Sequence, residues 1–279
     1  MTLTVPRLPP ELTDKIIREV NHRATLVTCS LVCRSWLPAS RYALFRNVQV
    51  WNAASYDLFV SRVLFSESMR PYLSYVYEMN LQNGRGLNGR PEPWLSFFQL
   101  FTGHLPNLIS LSVWRTNWED LSPHPNTPLL LSALTSIQVL ILHACHFPSF
   151  GYLRRTLSAL PSLRDLTVSM CTWPGPSSQN HLMQTALKSD RPKLTALNLL
   201  WDPYPPDRLR AQQLVSWLAS SATSSTLRTL DFLVVSTGRG GPANRGYVDF
   251  FGPSFPALLR SVSCVRMVVN RTESIEGAP

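Results

Sequence analysis

The chain runs to 279 residues, 44% of them hydrophobic, and carries 26 Lys and Arg against 17 Asp and Glu for a net charge of +9. That apolar content excludes a disordered chain and is ample for a sizeable core; charged residues are only 15% of the total, and the basic ones are scattered without a lysine-arginine run, so nucleic acid is not the expected partner. Five cysteines, odd in number and without a CxxC pair, an N-terminus without an apolar signal core, and no stretch near the roughly 18 apolar residues of a membrane span lead us to expect a reduced protein of the cytoplasm or nucleus, without a membrane anchor.

In chain order, the first signal is an apolar stripe at Leu12, Ile16, Ile17 and Val20, which predicts a helix behind the prolines at 9 and 10. A second stripe, Leu26, Cys29, Val32 and Cys33, then Trp36, predicts another helix, and a third is expected around Ala39 to Phe45. Cys29 and Cys33, four apart, suit a buried apolar face better than a disulfide. So short a unit buries too little surface to be comfortable alone and should dock on the next domain or on another protein.

The same segment carries Leu8-Pro9-x-Glu11-Leu12, an isoleucine at Ile16 or Ile17, Ser30-Leu31-Val32-Cys33-Arg34-x-Trp36 and a closing Leu44-Phe45. In that order and density the residues from Leu8 to Val50 resemble an F-box. The resemblance implies that Leu8, Pro9, Leu12, Ile16, Leu31 and Val32 contact a Skp-type adaptor, which joins the protein to a cullin and RING ubiquitin ligase, and that Cys33 and Trp36 pack inside the unit. The link between the first two helices, Asn21 to Thr25, is shorter than is usual in that family.

Downstream, the phrase L-x-x-L-x-L recurs at Leu108, Ile137, Leu163, Leu194 and Leu227, with weaker copies beginning at Val76 and near Leu259 (Leu259, Val262, Cys264). The starts are about 30 residues apart, which is the mark of a solenoid. Each phrase alternates as a strand does, and helix-like stretches precede the phrases at Trp94 to His104, Leu129 to Leu134, Tyr152 to Leu160, Asn180 to Lys188 and Arg208 to Ser220. Helix and short strand in repetition resemble leucine-rich repeats, whose pattern adds a cysteine or asparagine three positions past the last leucine. Cys145 and Cys171 stand there, whereas Thr116, Asp202 and Val235 depart from it. Repeat phase thus accounts for Cys145 between His143 and His146 better than zinc does, since four ligands at suitable spacing are absent.

The expected fold is therefore α/β: an N-terminal three-helix F-box over residues 1–47, then a leucine-rich-repeat-like solenoid over 48–279. Short parallel strands line its concave face near 48, 76, 108, 137, 163, 194, 227 and 259, with helices on the convex face. In that register the x positions face the concave side. Client contacts are expected at Trp114, Ile141, His143, Leu200, Trp201 and Leu233, an apolar surface, and at Arg239 in a Gly-rich loop like the one holding Arg85 and Arg90. The competing expectation is that loops rich in Pro and Trp, such as 173–176, fold over the sheet and bury that surface.

No nucleophile elbow, HExxH or Gly-rich phosphate loop occurs, so neither a catalytic residue nor a cofactor is expected. The function implied is that of a substrate-recognition subunit, with the F-box holding the adaptor, the repeats holding a protein client, and proximity performing the work. The rival is a plain repeat scaffold whose N-terminal helices only cap the solenoid.

Overall fold

The computed structural model describes residues 8–82, 96–118, 127–174, 192–201, 205–236 and 251–271. Three helices open it: α1 (Pro10–Arg18), α2 (Arg23–Val32) and α3 (Leu37–Arg46). Pro10 supplies the fixed φ of a first helical position, the Pro9 carbonyl accepts from Leu12 and Thr13, and Glu11 early with Lys15 and Arg18 late complements the helix dipole. The link to α2 is only residues 19–22, and Thr25 donates its N–H to the His22 ring. Arg23 to Thr25, expected in the link, already belong to α2.

Ile17, Leu26 and Ala39 form a small core, with Val20, Trp36, Ala43 and Leu44 packed against it. The first predicted stripe splits, since Ile17 goes inward while Leu12 and Ile16 stay exposed. A correction applies to Cys33. The helix ends at Val32, Cys33 is extended at φ −160°, and its side chain is exposed beside Ser35 rather than packed inside.

Helix α3 passes without a break into β1 (Asn47–Val50). It is fixed to the repeats by ring contacts with a 3-10 turn (Arg70–Tyr75): Tyr42 meets Tyr75 edge-on at 4.9 Å and Phe45 stacks on Tyr72 at 5.4 Å. Between them lie α4 (Ala53–Phe59), closed by a capping box of Asn52 and Ser55, and a π-turn (Val60–Leu64).

Strands β1, β2 (Glu78–Gln82), β3 (Ser110–Trp114), β4 (Val139–His143), β5 (Asp165–Ser169), β6 (Ala196–Trp201), β7 (Thr229–Ser236) and β8 (Cys264–Arg271) form one parallel sheet in sequence order. Helices α5 (Phe97–Phe101), α6 (Thr127–Ser132), α7 (Phe150–Ala159), α8 (Pro205–Ser220), α9 (Thr223–Thr226) and α10 (Phe255–Leu259) lie between strands. The architecture is a leucine-rich-repeat-like solenoid. Its register aligns Leu111, Leu140, Leu166, Leu197 and Leu230 in one buried row, and Val113, Leu142, Val168, Leu199 and Phe232 in the next. Alternation along each strand sends these rows into the core and their neighbours to the other face.

The backbone repeats too. Just before the strands, Gln138, Arg164, Thr195, Arg228 and Ser263 each donate to the carbonyl of the corresponding residue one repeat earlier. That ladder corrects the last repeat: its leading apolar position is Val262, not Leu259, because Cys264 pairs with Thr229 and Val265 with Leu230. Leu259 ends α10 instead. The predicted helix at 180–188 lies outside the described residues.

At the strand ends, Arg115, Ala144 and Met170 are left-handed, with φ of 55°, 51° and 51°, which lets their N–H groups reach the carbonyls of His143, Ser169 and Leu200 on the next strand. A Cβ is strained there, so Ala144→Gly is expected to stabilise the fold by about 0.5–1 kcal/mol and Ala144→Val to destabilise it by at least as much. Urea unfolding of the two variants checks the sign. Each left-handed turn delivers a buried polar or thiol side chain, Thr116, Cys145 and Cys171, and two residues later a buried aromatic, Trp118, Phe147 and Trp173.

Candidate functional site: an exposed helical face and a concave groove

On the N-terminal unit, the expected adaptor residues occupy the outside. Leu8 is 61% exposed, Leu12 49%, Ile16 55%, Leu31 80% and Val32 57%, and Pro9 is exposed with them. Val27, also on α2, is 45% exposed. Aliphatic side chains this open in a unit with so small a core are not holding it together, and they leave apolar groups open on α1 and on α2.

The second feature lies on the concave side, where Trp114, Ile141, His143 and Leu200 come together in a groove of about 480 Å³ with Thr167, Asn198 and Asp231. Four of the seven residues expected to meet a client thus converge. The side chains of Trp201 and Leu233 lie outside the described residues, as do Arg239, Arg85 and Arg90. Trp114 and His143 lie ring against ring at 4.3 Å, and the His143 Nδ1 is 2.9 Å from the Ser169 hydroxyl. Asn198 donates to Thr167 at 3.2 Å, and Arg266 pairs with Asp231 at 3.2 Å at the far wall. Arg266 is a lining residue that repeat phase missed, because the last phrase was placed three positions early; in the corrected register it lies beside Asp231.

Burial, and secondarily the Arg115 guanidinium, holds the His143 imidazole below its usual 6.5. The folded protein therefore keeps this ring neutral where the unfolded chain would protonate it. The contribution to stability is complete above 6.5 and is lost as pH falls through the lower, folded value. A proton NMR titration should place His143 below 6.5, and Arg115→Gln should move it back upward.

The loop expectation is corrected at Trp173. Its ring does not cover the concave face but is fully buried in the core, tilted against Phe150 at 5.6 Å and donating Nε1–H to Gln213 of α8 at 2.8 Å. A signal for this was present in the sequence: Thr116-Asn117-Trp118, Cys145-His146-Phe147 and Cys171-Thr172-Trp173 repeat a spacing that only an inward-facing turn explains. Cys145 and Cys171 donate to the Val113 and Leu142 carbonyls of the preceding repeats at 3.4 and 3.5 Å, and burial pushes the Cys171 thiol up. The flanking histidines turn to other partners, with His146 Nδ1 2.7 Å from the Thr172 hydroxyl. Among the described residues no group of three or more His, Cys, Asp or Glu is placed to hold a metal ion, and no helix is long and apolar enough to cross a membrane.

No family model matches the chain, and no curated protein matches it. Among solved structures that do match is the crystal structure of a TLR13–ssRNA13 complex, at 15% identity and a TM-score of 0.33, over 72% of this chain and 34% of that one. The present chain thus spans about a third of that protein's length. A superposition this loose carries nothing about what the chain binds, and the repeat architecture rests on the register and ladders of its own sheet.

Proposed function

We propose that the chain is a substrate-recognition subunit of a cullin-RING, SCF-type ubiquitin ligase. Its N-terminal helices bind a Skp-type adaptor through Leu8, Pro9, Leu12, Ile16, Leu31 and Val32, and its concave groove binds a protein client. The observation that carries the reading is the outward placement of the aliphatic side chains that the F-box resemblance assigns to the adaptor. The passage of α3 into β1 supports it further, because a continuous backbone and the ring contacts to the 3-10 turn set client and adaptor at a fixed separation. The chain then acts by raising the effective concentration of a ubiquitin-charged enzyme at client lysines, with no chemistry of its own.

The rival reading, a repeat scaffold with a helical cap, draws on one specific observation: α3 covers the first repeat through Tyr42 and Phe45. A cap does not require open aliphatic residues on α1 and α2. Purified full-length chain is expected to retain a Skp-type adaptor through gel filtration at micromolar concentration; two separate peaks would leave the cap. For the client, proximity labelling should recover ubiquitinated proteins that disappear when Trp114 and Leu200 are both changed to Asp. An unchanged labelling set would remove the groove from the proposal.

A further inference from the structure

A second concavity, of about 450 Å³, lies at the joint between the N-terminal helices and the first two strands. Arg18 from the end of α1, Arg23 from the start of α2 and Arg46 from the end of α3 all line it, together with Gln49 of β1 and Glu78 of β2. Three guanidiniums against one carboxylate leave two net positive charges around a small volume. Among the described residues none of the three arginines forms an ion pair; Arg18 instead lies over the Tyr42 ring at 4.8 Å, which orients its guanidinium without neutralising it. The carboxylate is already engaged, since Glu78 Oε2 accepts from Asn47 Nδ2 at 2.7 Å. Surface arginines normally spread apart to lower their mutual repulsion, and here three separate elements deliver them to one cleft.

We propose that this cleft binds a phosphate group. Guanidinium forks match the tetrahedral oxygens and stay charged at any physiological pH. Gln49 adds an amide donor to the same cleft. The volume exceeds what one phosphate needs and admits a small phosphate ester or a phosphorylated side chain. A bound phosphate would tie α1 and α2 to α3 and β1, stiffening the joint between the two binding surfaces. This site does not depend on the adaptor reading, and its arginines are separate from the aliphatic residues of that reading.

The test is calorimetric titration of the full chain with inorganic pyrophosphate at constant ionic strength, with a phosphoserine peptide and its unphosphorylated counterpart as parallel arms. Saturable binding is expected, weakened about tenfold by Arg23→Gln and abolished in a variant with Gln at 18, 23 and 46. Glu78→Gln should strengthen binding severalfold by removing the opposing charge. Leu31→Asp should leave it unchanged, so failure of the phosphate site and failure of the adaptor reading are told apart, and circular dichroism with Arg34→Gln as a charge-loss control guards against misfolding. Tighter binding of pyrophosphate assigns a small soluble ligand, and tighter binding of the phosphopeptide assigns a phosphorylated protein. Equal heats from the unphosphorylated peptide, full retention in the triple variant or an unaltered Glu78→Gln affinity would overturn the proposal.

Discussion

Leu31→Asp is expected to leave the fold intact and to abolish retention of a Skp-type adaptor. Leu31 is 80% exposed at the end of α2, and a carboxylate there meets water in the free chain, so the stability change should stay within about 0.5 kcal/mol. In an apolar interface the same carboxylate loses its water without gaining a partner. A loss of about 2–4 kcal/mol follows, roughly a 30- to 1,000-fold weaker complex. Ile17→Asp is the instructive contrast: Ile17 is 2% exposed in a core of three residues, and charging it should unfold the unit and lose the adaptor for a different reason. Isothermal titration with the adaptor, paired with far-UV circular dichroism, separates the two. If Leu31→Asp binds as tightly as the unaltered chain, the exposed face on α1 and α2 is not the adaptor site and the cap reading takes its place.

The largest expected loss of stability comes from Trp173→Ala. The indole is completely buried, its Nε1–H reaches Gln213, and its own carbonyl accepts from Arg210 Nε at 2.9 Å, so one residue joins the turn after β5 to α8 across a long stretch of sequence. Truncating a buried tryptophan costs about 3–5 kcal/mol through lost apolar burial and the cavity left behind. That is a large share of the 5–15 kcal/mol, roughly, that holds a domain together. In a solenoid each repeat leans on its neighbours, so the damage should spread to β6 and β7 and broaden the urea transition. Trp51, 55% exposed beside β1, is the control, and Trp51→Ala should move the midpoint little. Equal effects at the two positions would contradict the placement of Trp173 in the core.

The strands from 110 to 236 each begin two residues past the leading apolar residue of an L-x-x-L-x-L phrase, because alternation and a 30-residue period admit one parallel register that buries every leucine row. Four groove residues, Trp114, Ile141, His143 and Leu200, were legible for the same reason: x positions in phase must share a face. The aliphatic residues of α1 and α2 were legible as a helical stripe but not as inside or outside.

A stripe states which side chains share a face, and only packing decides whether that face is the core. Ile17 went in with Leu26 and Ala39 while Leu12 and Ile16 stayed out, and Cys33 was released because its helix stopped one residue earlier. Placement of Trp173 depends on the left-handed turns at Arg115, Ala144 and Met170, which the repeated spacing of Trp118, Phe147 and Trp173 signals and the L-x-x-L-x-L phrase does not. The last repeat slipped by three residues because Leu259 and Val262 both fit an apolar pattern, and the pairing of Cys264 with Thr229, together with the Ser263 N–H on the Arg228 carbonyl, selects Val262. The three-arginine cleft was beyond any reading of order, since Arg18, Arg23 and Arg46 belong to three different helices. Periodic burial is encoded locally and repeats, so the order of residues already specifies the repeating sheet; convergence of residues from separate elements depends on how the helices pack against one another, which no local pattern contains.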